Sequence, residues 1–222
     1  MVSRFKVIVL VLLSSVILFA EEQREIESKS DFEDFKKTML TATQFEPKKS
    51  YYALGLLFSN NIPLKNGKFI QADLQTSKEY FYKAFDAGNL MSAYNIAMID
   101  VVNKEYDSAV HILQQGLSKI DVDKSEDIST GSFLSSTLAG VVLDKMPKNQ
   151  EAMQMSIDYL LPYVEKQKLA TAEYLLSNLY MATNQRKEAD NFLNRACTNQ
   201  RAPKEIVVIC HNANNIEVSK NE

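Results

Sequence analysis

Apolar residues recur along most of the chain at the three- and four-residue steps of an α-helix, and the alternation expected of a half-buried strand is nearly absent. From Asp31 onward, Phe32, Phe35, Met39, Leu40 and Ala42 fall close to that spacing. Ser30 and Asp31, with Glu33 and Asp34 behind them, make an acceptable helix start. A helix is therefore expected within 31–47, ended by Pro47. The charged stretch before it, 21–30, reads as a flexible leader. Near the other end, the β-rich run Ile206 to Ile209 follows Pro203 and is expected to be a capping helix, with a tail, in 203–222. The fold class predicted is all-α.

Between these ends the same pattern returns four times, over 48–202. Each unit opens with a helix that carries a large apolar residue beside a small one: Leu54-Gly55, Ile96-Ala97, Ala139-Gly140 and Leu176-Ser177. The small residues are 42, 43 and 37 apart. In the second unit Ala97 is followed by Ala109, Leu113 and Gly116, and in the fourth Ser177 is followed at the same steps by Ala189, Leu193 and Ala196. The first unit repeats the steps as Ser77, Phe81 and Ala84 after an insertion, Asn60 to Gln75, that contains Pro63 and Gly67. The third is weakest, with Ala152, Ser156 and Tyr159. Small residues on both helices let a pair approach closely, and large neighbours fill the space between pairs. One pair cannot bury its stripe alone, so the expected architecture is a solenoid of antiparallel helix pairs. Asn103-Lys104 and Asn184-Gln185 are the expected turns within pairs, and Gly88-Asn89 a turn between units.

These residues resemble a known superfamily. The stretch KAFDAGNLMSAYNIAMI, Lys83 to Ile99, is similar to the junction of two Sel1-like repeats, matched at Ala84, Gly88, Asn89, Ala93, Ile96 and Ala97. YYALGLLF, Tyr51 to Phe58, resembles the repeat opening, and EYDSAVHILQQGL and RKEADNFLNRAC resemble the second helix of a tetratricopeptide repeat. The resemblance covers about Lys48 to Cys197 and implies a Sel1-like or tetratricopeptide-like solenoid that binds a protein or peptide. The nearest analogy is with the secreted, cysteine-rich Sel1-like proteins of some Gram-negative bacteria. Those carry one disulfide per repeat, and this chain has a single cysteine pair.

The N-terminus gives an address. Arg4 and Lys6 precede an apolar run of 14 residues, Val7 to Ala20, and Glu21 and Glu22 follow. Residues 1–20 therefore read as a secretory signal, too short for an ordinary bilayer span. Leu18 stands where cleavage after Ala20 prefers a small residue, so an uncleaved N-terminal anchor is the alternative. The expected location is the periplasm. Cys197 and Cys210 agree with export: an even pair close in sequence is most simply one disulfide, with free thiols or a metal site as the weaker readings. The chain has 25 basic and 28 acidic residues; without Arg4 and Lys6 the count is 23 against 28, a net of −5. With no basic block, nucleic acid and an anionic membrane surface are poor candidates for the main partner.

No reaction chemistry stands out, and no cofactor or metal is implied. The only Ser-x-x-Lys, Ser3 to Lys6, lies inside the signal, and neither Lys-Thr-Gly nor Ser-Asp-Asn follows. Gly131-Ser132 lacks the frame of a hydrolase nucleophile, and only two histidines, His111 and His211, exist. His111 is expected to face solvent or the edge of the core. The acidic stretch Asp121 to Asp127 reads as a linker between repeats, lacking the Gly and distal Glu of a calcium loop. The expectation is that the protein is not an enzyme.

In the resembled superfamily the first helices line a concave groove. Equivalent places in the four units hold Tyr52, Tyr94, Thr137 and Tyr174, and, four residues further on, Leu56, Met98, Val141 and Asn178. The candidate partner-binding residues are Tyr52, Leu56, Tyr94, Met98, Tyr174 and Asn178. The resemblance implies that three tyrosines form a ladder along one surface; the competing reading is that they are framework, packed against neighbouring helices. The function expected is a periplasmic scaffold for an envelope partner. A peptidoglycan-associated factor or hydrolase of the cysteine-rich kind is the alternative, and end-to-end self-association a third.

Overall fold

A computed structural model of the chain describes residues 26–210. The predicted signal (1–20), the first half of the predicted leader (21–25), His211 and the predicted tail after it lie outside the described residues. The described chain is mainly helical, which agrees with the all-α class. It divides into two compact units between Lys104 and Glu105, inside the second predicted repeat.

The first unit contains α1 (Lys29–Ala42), α2 (Pro47–Ser59), a short hairpin of β1 (Ile62–Pro63) and β2 (Phe69–Ile70), α3 (Leu74–Asp86) and α4 (Met91–Val102). Helix α1 starts two residues earlier than its sequence suggests, because Ser28 and Asp31 form a reciprocal cap. The Asp31 amide donates to Ser28 Oγ at 3.2 Å, and the Ser28 amide donates to the Asp31 carboxylate at 2.9 Å. Pro47 does not close α1. It opens α2 at the first helical position, where its missing N–H has no intrahelical partner to lose.

The insertion after α2 is a hairpin in which Ile62 pairs with Ile70 and Pro63 with Phe69. Gly67 takes its positive φ of 74° at the turn, and the Leu64 amide closes it on the Lys68 carbonyl at 2.8 Å. The entering chain is tied to this loop: the Lys65 amide donates to the Glu27 carbonyl at 3.0 Å, and the two side chains form an ion pair. Helix α1 packs on α2, α2 on α3 and α3 on α4. A cluster of Phe32, Leu54 and Leu57 joins α1 to α2. Phe81 of α3 is pressed against Gly55 so closely that an added Cβ would stand 2.5 Å from its ring. Ser77, one turn before Phe81, donates to the Gly55 carbonyl at 2.7 Å. Small residues at both positions are what let α2 and α3 come together.

The second unit contains α5 (Tyr106–Ser118), α6 (Ser125–Lys145), α7 (Gln150–Gln167), α8 (Ala170–Ala182) and α9 (Arg186–Thr198), and residues 204–210 are again helical. Helix α5 packs on α6, α6 on both α7 and α8, α7 on α8, and α8 on α9. Leu113, Leu134, Leu138, Met153, Ile157, Leu160, Leu176 and Leu179 are fully buried between them. In the predicted third repeat, Gly131 lies tight against the ring of Tyr163, and Gly140 is half-buried.

The expected turns are present. Gly88 follows α3 with φ 92°, and the next amide, of Asn89, reaches back to the Ala84 carbonyl at 2.8 Å. Asn184 follows α8 with φ 61°, and the Gln185 amide returns to the Tyr180 carbonyl at 2.8 Å. The four apolar residues that precede each small partner, Leu54, Ile96, Ala139 and Leu176, are all fully buried. Five residues before each small partner stand Ser50, Ser92, Ser135 and Ala172, and these too are buried.

Candidate functional site

The six candidate residues divide between the units: Tyr52, Leu56, Tyr94 and Met98 belong to the first, Tyr174 and Asn178 to the second. The i, i+4 spacing sets Leu56 on the same face of α2 as Tyr52, and Met98 on the same face of α4 as Tyr94.

In the first unit Tyr52 and Tyr94 come together. Tyr52 is half-buried, its ring tilted against Phe81 with centroids 5.6 Å apart. Its hydroxyl accepts from Asn95 Nδ2 at 3.2 Å, and the same amide donates to the Met91 carbonyl at 3.3 Å. Burial raises the Tyr52 phenol against the lowering effect of the Asn95 bond. Tyr94 is 8% exposed. Its phenol is pushed up to about 12, chiefly by burial, with the neighbouring Tyr52 adding to the shift. Leu56 and Met98 are half-buried. The result is a neutral phenol pair with one amide bonded to it, flanked by two partly open apolar side chains.

In the second unit Tyr174 is half-buried and packs against Ala196, Ile206 and Cys210. Asn178 turns its side chain onto its own helix, donating to the Tyr174 carbonyl at 2.9 Å. At the equivalent places of the predicted third repeat, Thr137 donates to the Phe133 carbonyl at 2.8 Å and Val141 is buried.

Several polar arrangements had no signal in the sequence. Asp100 of α4 is fully buried and forms an ion pair with Lys78 of α3. In the second unit Arg195 of α9 donates to Glu173 of α8 at 3.0 Å and to Glu165 of α7 at 2.6 Å. Its guanidinium lies 4.7 Å over the ring of Phe192, which stacks on Tyr180 at 5.5 Å. Burial lowers the Arg195 value, and the two carboxylates outweigh it, so the group stays raised. Asn95 was likewise unmarked: its role depends on Tyr52, 43 residues earlier.

Cys197 and Cys210 are bonded, with Cα atoms 5.6 Å apart. His111 is exposed beside Gln115. In the acidic stretch, Asp121 pairs with Lys124 at 3.4 Å and Asp123 with Lys166 at 2.6 Å. Among the described residues, no group of three His, Cys, Asp or Glu is placed to hold a metal ion. Among them, too, no helix is long and apolar enough to cross a membrane. No family model matches the chain, and no curated protein matches it.

Proposed function

We propose that the protein is an exported scaffold of Sel1-like, tetratricopeptide-like helix pairs that binds a protein or peptide partner in the cell envelope. The observation that carries the reading is the burial register of the first helices. At the spacing of the predicted repeat, the apolar residues Leu54, Ile96, Ala139 and Leu176 are buried in the same way, as are the small residues five before each partner. Stacked pairs require this regularity, and four unrelated helices do not. The signal-like residues 1–20 and the disulfide favour an oxidising compartment, the periplasm.

The contact surface in the first unit is Tyr52 with Asn95, and Leu56 and Met98 beside them. The amide and phenol suit the N–H and C=O groups of a peptide backbone, and the half-buried Leu56 and Met98 suit an apolar side chain. The burial of Tyr94 makes it the support of Tyr52 in this arrangement rather than a contact. Non-covalent chemistry is all the scaffold needs, and no reaction is assigned to it.

The test is in-cell crosslinking of the exported protein, with captured envelope proteins identified by mass spectrometry. Leu56→Glu with Met98→Glu, and separately Tyr52→Phe with Asn95→Ala, should abolish or sharply reduce capture at unchanged helicity by circular dichroism. Undiminished capture by both folded variants would remove the surface from consideration. Retention on isolated sacculi without any captured protein would point instead to the cell wall.

A further inference from the structure

Among the described residues, the helical segment 204–210 is held to the second unit by a small apolar cluster and one covalent bond. Ile206 is 1% exposed and packs with Cys210 against Ala196 of α9, and Tyr174 of α8 packs on the same cluster. Val207 and Val208, between these anchors, are 41% and 57% exposed. Ala202 and the half-buried Ile209 pack on the same cluster, and the Cys197–Cys210 bond joins the segment to α9 covalently.

The chain just before this segment is secured by other means. Asn199 donates to the Lys168 carbonyl at 2.8 Å and to Glu173 at 3.4 Å. Arg195 holds α9 to Glu173 and Glu165. These bonds keep α9 and Asn199 on α7 and α8 whatever the state of the cysteines. A pivot therefore lies between the fixed Asn199 and the helical segment, in the turn where the Ala202 amide donates to the Asn199 carbonyl at 3.0 Å.

We infer that the Cys197–Cys210 disulfide is a redox latch that holds 204–210 over Tyr174, and that its reduction frees this segment while α5–α9 stay folded. The reductant is a dithiol. Cys197 is half-buried and Cys210 is 8% exposed, so the first thiolate attacks the sulfur of Cys197 and Cys210 leaves as thiolate. The second thiol of the reductant then displaces Cys197. The dithiol ends as its own cyclic disulfide, and the two protein sulfurs take up its two protons. With the bond open, residues 200–210 regain the conformational freedom that closure of the loop had removed, against the packing of Ile206, Ile209 and Cys210 on the cluster. Tyr174 and Ala196 then become accessible. The latch stands on its own geometry; that it would gate partner contact at Tyr174 rests on the proposed function.

Hydrogen exchange by mass spectrometry on the purified full chain tests the latch, before and after treatment with dithiothreitol, with Cys210→Ser as a reductant-free mimic. Exchange over 204–210 should rise about 100-fold, the population shift expected for opening a loop of this length. Protection in α6 and α7 should not change. Unaltered protection over 204–210 in the reduced protein would overturn the latch. Loss of protection throughout α6–α9 would overturn it equally, making the bond a staple of the whole unit. An opened latch combined with unaffected partner capture in Tyr174→Ala would support the inference and count against Tyr174 as a contact.

Discussion

A glycine that appears unremarkable in a list of helix formers can decide how closely two helices approach. Gly131 of α6 faces the ring of Tyr163 in α7, and no Cβ fits between them. The ring is stiff and its residue 4% exposed, so it has little room to give. Gly131→Ala should gain a few tenths to about 1 kcal/mol in helix propensity but lose roughly 1–3 kcal/mol to overpacking. The expected net is a lower midpoint in urea denaturation with unchanged slope. An equal or higher midpoint would mean that the ring moves aside easily. The candidate site has the same residue-level logic. Tyr52, Tyr94 and Tyr174 stand on helices α2, α4 and α8. Their surroundings depend on Phe81, Asn95 and Ile206, which sit far away in the chain and leave no periodic mark.

Elements were legible where their signals are local. Helix faces, the Gly88 and Asn184 turns and the helical reading of 206–209 all rest on interactions within about five residues, which a sequence displays directly. The hairpin was hidden because strands of two residues cannot show a period, and Pro47 was misplaced because proline both ends helices and begins them. Small residues marked the pairing of α2 with α3, but polar ties between helices were not legible. The ion pair of Lys78 with Asp100 joins α3 to α4 across buried ground, with side-chain exposures of 17% and 0%. Removing one partner leaves the other charge in a poor solvent, so Lys78→Met should cost about 3–5 kcal/mol. Lys78→Met combined with Asp100→Leu should cost much less. A double-mutant cycle read by chemical denaturation measures the difference; additive losses would show that each residue acts through other contacts.

At the scale of the whole molecule, buried phenols set an alkaline limit. Burial raises Tyr52 and Tyr94 in the first unit and Tyr163 and Tyr180 in the second. A phenol whose folded value is raised contributes its full stabilisation below the unfolded value near 10. Above that, the unfolded chain ionises first, and stability falls as pH rises towards about 12, the value for Tyr94. Denaturation at pH 9 and 11 should therefore show a marked loss for the wild type and a smaller one for Tyr94→Phe, which has no proton to release. Equal losses would mean that Tyr94 is not among the groups that set the limit. The ionisation is followed independently by ultraviolet absorbance of the phenolate.

The tie between Glu27 and Lys65 also fixes a mechanical path. Tension entering from the N-terminal side meets this backbone bond and ion pair before it reaches the first turn of α1, and passes sideways into the hairpin. Helix α1, closed by its Ser28–Asp31 cap, is thereby shielded from being unwound from its end. The hairpin between α2 and α3 would thus take up load from the chain that leads into α1.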